Sequence, residues 1–357
     1  MNEIQSKELQ KIIGKIKPVD RDAIDRAVQK WNLLAKPLGS LGLLEDAISR
    51  IAGIRSDTDV YLADPVLLVF CADNKVVSRG ISQSNHKVTE AVARALGAGE
   101  STVNYLAKRS ECRVIPINVG MMSAGPFSGV EEALVKQAAD DISIGPAMSR
   151  FEAEEAVLVG VRAVQKQVKQ GADLILLGEM GIGNTTSTAA VSAALLGMSA
   201  KEMTGKGAGL SEEGFQKKVR VVEETIRVNR PDGKDPLDVI SKVGGLDIAA
   251  MCGACLAGAY LRVPVVLDGV ISCAAALCAK GLCPEVTDYL LASHTSKEPA
   301  AVGLLDRLGL HAPIQGELRL GEGTGAVLWL ALVRPVLDLY QSGHTFDKLG
   351  MDAYVPL

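Results

Sequence analysis

Apolar residues fall in two kinds of stretch along this chain. Short apolar runs at Val66–Cys71, Val114–Val119, Leu174–Leu177 and Val263–Leu267, with Asn118 the one polar position among them, have the length and branched aliphatic content of strands buried on both faces. Segments with helical spacing lie between them, so strand and helix alternate and the sheet is expected to be mostly parallel. Ahead of the first run, Ile12, Ile13, Ile16, Ile24, Ala27, Val28 and Trp31 recur at helical intervals between Ser6 and Leu34, and Pro18 divides that span into two helices. The punctuated loop Lys36-Pro37-Leu38-Gly39-Ser40-Leu41-Gly42 follows, then a helix from Leu43 to about Ile54.

In such a sheet, ligands bind beyond the carboxyl ends of the strands. The four endings here are Asp73-Asn74-Lys75, Asn118-Val119-Gly120-Met121, a loop opening at Glu179, and Asp268-Gly269-Val270-Ile271-Ser272. The third carries the clearest chemistry. Glu179-Met180-Gly181-Ile182-Gly183-Asn184-Thr185-Thr186 joins the run ending at Gly178 to the helix-forming stretch Ser187–Leu196. Glycines let backbone N–H groups approach an anion, Asn184 and the threonines add donors or a cap, and the helix N-terminus is partly positive. A phosphate fits there, although a plain strand-to-helix turn with a cap uses the same residues. Neither GxGxxG nor the Walker pattern is present, which removes sequence support for a dinucleotide or ATP site. A second signal is Glu322, held between Gly321 and Gly323 at the mouth of the apolar helix Ala326–Val333. A turn fixes its backbone, its side chain is expected to aim outward, and it suits either a general base or a helix-dipole partner.

Composition narrows the function classes. With 48% hydrophobic residues the chain can bury a large core, and with 4% aromatics that core must come from Ala, Val, Leu and Ile. A net charge of -4, with acids and bases interspersed, argues against nucleic acid or an anionic membrane as partner. The apolar stretch Ile248–Pro264 is broken by small residues and Arg262, and no basic-then-apolar signal occupies Met1–Lys7, so a cytoplasmic protein is expected. Seven cysteines, including Cys252 and Cys255 in a CxxC, lack a second pair at ligand spacing and read as buried thiols. No metal and no cofactor is expected.

Taken in chain order, Lys36–Gly42, Gly178–Thr186, Thr204–Leu210, Ser241–Gly258 and Leu320–Ala326 resemble the nicotinate-nucleotide:dimethylbenzimidazole phosphoribosyltransferase family. The pairing of Gly-Glu-Met-Gly-Ile-Gly-Asn-Thr-Thr with Arg-Leu-Gly-Glu-Gly-Thr-Gly-Ala is the specific part. The resemblance implies a Rossmann-like parallel sheet flanked by helices in a large α/β domain, residues 61–329. It also implies a small helical domain made from residues 1–60 and 330–357. It implies transfer of ribose 5-phosphate from nicotinate mononucleotide to a cobamide lower-ligand base, with nicotinate leaving and the β-linkage inverted to α. Glu322 stands where the family carries its catalytic glutamate. Glu179 and Lys218 match its ribosyl-phosphate pocket, with Gly181, Gly183, Asn184 and Thr185 as phosphate donors and Ser296 and Arg319 as further contacts. Lys218 also reads as a solvated helix lysine beside Lys217.

Two departures bear on the acceptor. Ala72-Asp73-Asn74-Lys75 replaces the family's Ala-Asp-His-Gly, and Ser82–Lys87, which begins at the shared Gly-x-Ser serine, Ser82, lacks its aromatic-proline pair. The acceptor is expected to be a benzimidazole-type base, with a phenol left open. A homodimer or a heterodimer with a paralogue is expected. The competing reading is a non-catalytic paralogue that supports an active partner, against which Glu322, Glu179 and Lys218 all stand present.

Overall fold

The computed structural model describes residues 2–123, 125–207 and 209–354; Ala208 of the family-like Thr204–Leu210 segment and the last three residues of the expected small domain lie outside them. Three helices come first, α1 (Asn2–Ile13), α2 (Arg21–Leu33) and α3 (Leu43–Arg55). Then follow β1 (Pro65–Ala72), α4 (His86–Ala98), α5 (Thr102–Arg109), β2 (Arg113–Gly120) and β3 (Glu131–Glu132). The middle of the chain forms α6 (Arg150–Lys169), β4 (Leu174–Met180), α7 (Asn184–Leu196), α8 (Ala200–Met203), α9 (Glu212–Asn229) and α10 (Pro236–Val243). It closes with α11 (Leu246–Leu261), β5 (Val265–Leu267), α12 (Val270–Leu282), β6 (Leu290–Ala292), α13 (Ala300–Leu308) and α14 (Thr324–Gln341).

The six strands form one sheet in the order β3-β2-β1-β4-β5-β6, and every pairing is parallel. The α/β class with a parallel sheet flanked by helices is therefore as the sequence led one to expect. All four expected strands are present. The fourth starts at Val265 rather than Val263, because Pro264 has no N–H to give the ladder, and its carbonyl instead accepts from Ile175. β3 and β6 are too short to show as apolar runs.

Period-two alternation splits β1 between two cores. Val66, Leu68, Phe70 and Ala72 pack with α6, α7, α11 and α12 on one face. Leu67, Val69 and Cys71 pack with α2, α3, α5 and α14 on the other, where Trp31 meets Tyr340 with ring centroids 4.8 Å apart. Helices so poor in aromatics stabilise the core by close approach instead of bulk. A Cβ on Gly160 of α6 would collide with Ala250 of α11, and one on Gly253 of α11 with Val157 of α6, so the two backbones touch where they cross. The seven cysteines are free and buried, and burial raises the thiols of Cys252 and Cys255. Among the described residues no helix is long and apolar enough to cross a membrane, and no group of His, Cys, Asp and Glu is arranged to hold a metal ion.

Candidate active site

The chain winds outward in both directions from β1 and β4, and a cleft opens at the carboxyl end of this switch point. Its walls are Ile81–Gln83 after β1, Gly178–Thr185 leaving β4, Asp268–Ser272 after β5, and His294 and Ser296 after β6. Lys206, Gly207 and Lys218 close one side, and Leu318–Gly321 ahead of α14 close another. At the mouth, Gln83 Nε2 donates to the carbonyl of Gly209 at 2.6 Å, joining the loops on either side.

The glycine turn after β4 is shaped by what presses on it. A Cβ on Gly178 would strike the backbone of Glu322 and Gly323, and Gly183 has φ +95 with Val77 packed against its α-carbon. Gly183 is also the N-cap of α7 and supplies no side-chain cap; the N–H groups of Asn184 and Thr186 turn back to the carbonyls of Gly181 and Gly183, and the partly positive helix end borders the cleft through Gly183 and Thr185. Lys218, only 1% exposed, reaches this helix end from α9 and donates from Nζ to Thr185 Oγ1 at 2.8 Å. The solvated-lysine alternative does not hold. Burial pushes its ammonium down to about 8, opposed by the charge of Glu298. A buried cation beside a helix N-terminus is an arrangement favourable to an anion.

Carboxylates gather beneath the turn. Asn184 donates both hydrogens of its side-chain amide, one to Glu179 Oε2 and one to Asp247 Oδ2 at 2.9 Å. Burial, and next the charge of Asp247, push Glu179 up to about 8. Asp268 is pushed up to about 7 by burial while its Oδ1 accepts from the N–H groups of Gly325, at 2.7 Å, and Ala326 at the start of α14. The His294 ring lies 3.9 Å from that oxygen, but burial pulls its pKa to about 4, so it is a neutral wall and not an ion-pair partner.

Gly321, Glu322 and Gly323 all have positive φ, at 91, 59 and 84 degrees. This turn is tied to β4 by the Glu322 N–H, which donates to the carbonyl of Glu179 at 3.1 Å. The Glu322 side chain differs from the outward aim expected of it. It is 8% exposed, and Oε2 accepts from the N–H of Val103 at 3.2 Å, at the N-terminus of α5. The left-handed backbone points it back toward α5, next to the cleft lining and not within it.

Nine of the residues singled out in the sequence, Ser82, Glu179, Gly181, Gly183, Asn184, Thr185, Lys218, Ser296 and Arg319, line the one cleft. Ser296 is buried, with Oγ 3.4 Å from the carbonyl of Leu318, while Arg319 is exposed at the mouth and Ser82 half-buried. Sequence reasoning missed Asp247 and gave His294 no role. The signal for Asp247 was a lone acid just after Gly244-Gly245-Leu246, opening a helix that is otherwise apolar for more than a dozen residues.

A doubly wound parallel sheet whose switch point opens into a cleft, lined by a buried lysine at a helix N-terminus and by acids, defines an α/β protein with a small-molecule site. Residues 16–351 match a family model described as phosphoribosyltransferase. A nicotinate-nucleotide:dimethylbenzimidazole phosphoribosyltransferase of Desulforamulus reducens is 41% identical over 96% of this chain and 98% of its own length. That of Acetivibrio thermocellus is 38% identical over 94% and 96%. The crystal structure of CobT from Thermus thermophilus superposes with a TM-score of 0.87 at 35% identity, covering 93% of this chain and 100% of that one. The chain belongs to the nicotinate-nucleotide:dimethylbenzimidazole phosphoribosyltransferase family.

Proposed function

We propose that this protein transfers ribose 5-phosphate from nicotinate mononucleotide to a cobamide lower-ligand base of benzimidazole type, releasing nicotinate and an α-ribotide. The observation that carries the reading is the Lys218 ammonium buried against Thr185 at the uncapped start of α7. The donor's phosphate fits this corner, accepting from Lys218 and from the N–H groups of Gly183 and Thr185. The ribose then lies over Glu179, with Ser296 and Arg319 toward the mouth.

The reaction asks little covalent chemistry of the protein. Nicotinate leaves as a neutral pyridine ring from a positively charged one, so its departure is driven by its own charge. Inversion requires the acceptor nitrogen to approach C1′ on the face opposite the departing ring, and the fixed phosphate sets that geometry. A proton must leave the acceptor as the bond forms, and Glu322 is the general base we assign: its backbone is held by Glu179 beside the cleft, and its carboxylate reaches the acceptor by rotating away from the Val103 N–H. Ile81, Ser82 and Gln83, on the wall altered from the family pattern, flank the acceptor side and set its choice among benzimidazoles and phenols. We also infer that the working form is a dimer, with itself or with a paralogue, in a reducing cytoplasmic compartment suited to seven free thiols.

Calorimetry with nicotinate mononucleotide and with its dephosphorylated riboside tests the phosphate assignment. The mononucleotide should bind at least about 100-fold tighter. Equal affinity for the two would remove the basis of the reading.

A further inference from the structure

Asp247 occupies the first turn of α11, is wholly buried and does not line the cleft, yet its carboxylate is linked to two residues that do. Asn184 spends one amide hydrogen on Asp247 Oδ2 and the other on Glu179 Oε2, so this side chain has none left for a ligand. The backbone makes room for the link. A Cβ on Gly181 would lie 3.1 Å from Asp247 Oδ2, and one on Gly245 would lie 2.6 Å from Oδ1. Asp247 Oδ1 makes no well-formed hydrogen bond among the described residues, although the N–H groups of Asp247 and Ile248 at the helix start favour its charge. An acid can serve a helix start from the surface, so its complete burial against the Asn184 amide is what ties this one to the cleft.

We infer that Asp247 is a positioning residue of the donor pocket: through the Asn184 amide it holds Glu179 on the cleft floor, and its own negative charge disfavours a second one there. This rests on the donor being a phosphoribosyl compound, as proposed above. Three elements around Glu179 present it with an acid, Asp247 from α11, Asp268 from the end of β5 and Glu322 from the turn before α14, while α7 presents the Asn184 amide. Asp247 in turn faces Asp73 at the end of β1. The buried cation of the cleft, Lys218, is engaged at Thr185. Burial raises Glu179 further, to about 8, than Asp247, to about 6, and the helix-start N–H groups of Asp247 and Ile248 favour the charge on Asp247, so Asp247 is the first of the linked pair to ionise. A protonated Glu179 donates a hydrogen bond to an oxygen of the donor. An ionised one repels the donor's phosphate.

The test is donor affinity by calorimetry from pH 5.5 to 9, with kcat at saturating donor alongside. Wild-type affinity should hold to about pH 7 and fall as pH rises through about 8. Asp247→Asn keeps an oxygen for Asn184 but removes the charge, so Glu179 ionises earlier and the fall should begin roughly one pH unit lower. Near pH 7.5 its affinity should then be several-fold below wild type, and at pH 5.5 within about twofold. Asp247→Glu, which keeps the charge, should retain the wild-type position of the fall. Asp247→Ala removes the charge and also frees Asn184 to turn, so it should show the same displacement in pH and in addition weaken donor binding about tenfold at pH 5.5, while changing kcat by less than about threefold. An Asp247→Asn profile that superimposes on wild type, or a loss of affinity, kcat and melting temperature together without any displacement in pH, overturns the inference. A wild-type protein that binds no donor overturns the functional reading instead, and this inference with it.

Discussion

Glu322 donates its backbone N–H to the carbonyl of Glu179, so two carboxylates share one hinge of backbone yet point apart. Glu179 faces the cleft and Asn184, while Glu322 turns to the N–H of Val103. Their duties should separate in the same way.

Glu322→Gln preserves shape and the Val103 contact but cannot take a proton. We expect the turnover rate to fall by about 10²–10⁴ with donor affinity changed less than about threefold. Raising the pH with an acceptor that ionises should recover part of the loss. Near-normal turnover in the variant would remove Glu322 from the proton-transfer role.

Lys218→Met keeps length and burial and deletes the charge. Donor affinity should drop by about 10²-fold or more, with kcat at saturation less affected. Lys218→Arg should not fully rescue it, because the buried ammonium acts as a compact point charge on Thr185 Oγ1 and a wider planar guanidinium cannot reproduce that placement. Titration of the two variants against wild type checks both statements.

Gly183→Val puts a β-branched residue at φ +95 and a side chain into Val77. Thermal unfolding should show a cost of at least about 2 kcal/mol, and the folded fraction should lose donor binding before acceptor binding. Retained donor affinity would move the phosphate away from this turn.

Glu179 predicts a pH dependence of stability. Its folded pKa of about 8 lies above the usual 4.5, so the folded protein keeps a proton that the unfolded chain gives up. The resulting stabilisation is complete below about 4.5 and is lost as pH rises through about 8. Asp247 and Asp268, raised to about 6 and about 7, act in the same direction. Lys218, lowered to about 8 from 10.5, opposes them only above about 8, where the unfolded chain holds the extra proton. His294, lowered to about 4 from 6.5, opposes them between those two values, so melting temperature without ligand should decline most clearly from about pH 6.5 toward 8. Glu179→Gln should flatten that decline and be the more stable protein at pH 8 by about 1–3 kcal/mol.

The sequence made the sheet legible through its four apolar runs, because strands buried on both faces cannot hide among polar residues. The glycine turn was legible for the same reason as its function, since glycines at a strand-to-helix junction are rarely replaceable by anything bulkier. Side-chain direction was not. That Glu322 turns toward α5, a segment more than two hundred positions earlier, depends on a tertiary neighbour that no local pattern encodes. Asp247 was hidden likewise, because its partner Asn184 is remote in sequence. The terminal helices read in sequence as a small domain of their own. In the structure α2, α3 and α14 share one core with the face of β1 that carries Leu67, Val69 and Cys71.

Mass spectrometry of the products addresses the central claim most directly. Purified protein, alone and with any paralogous partner, is incubated with nicotinate mononucleotide and a panel of benzimidazoles, purines and phenols, with Glu322→Gln run in parallel. We predict free nicotinate and an equimolar α-ribotide of at least one benzimidazole, both suppressed in the variant. Release of nicotinate from no acceptor mixture, by a protein shown to bind the donor, would contradict the account.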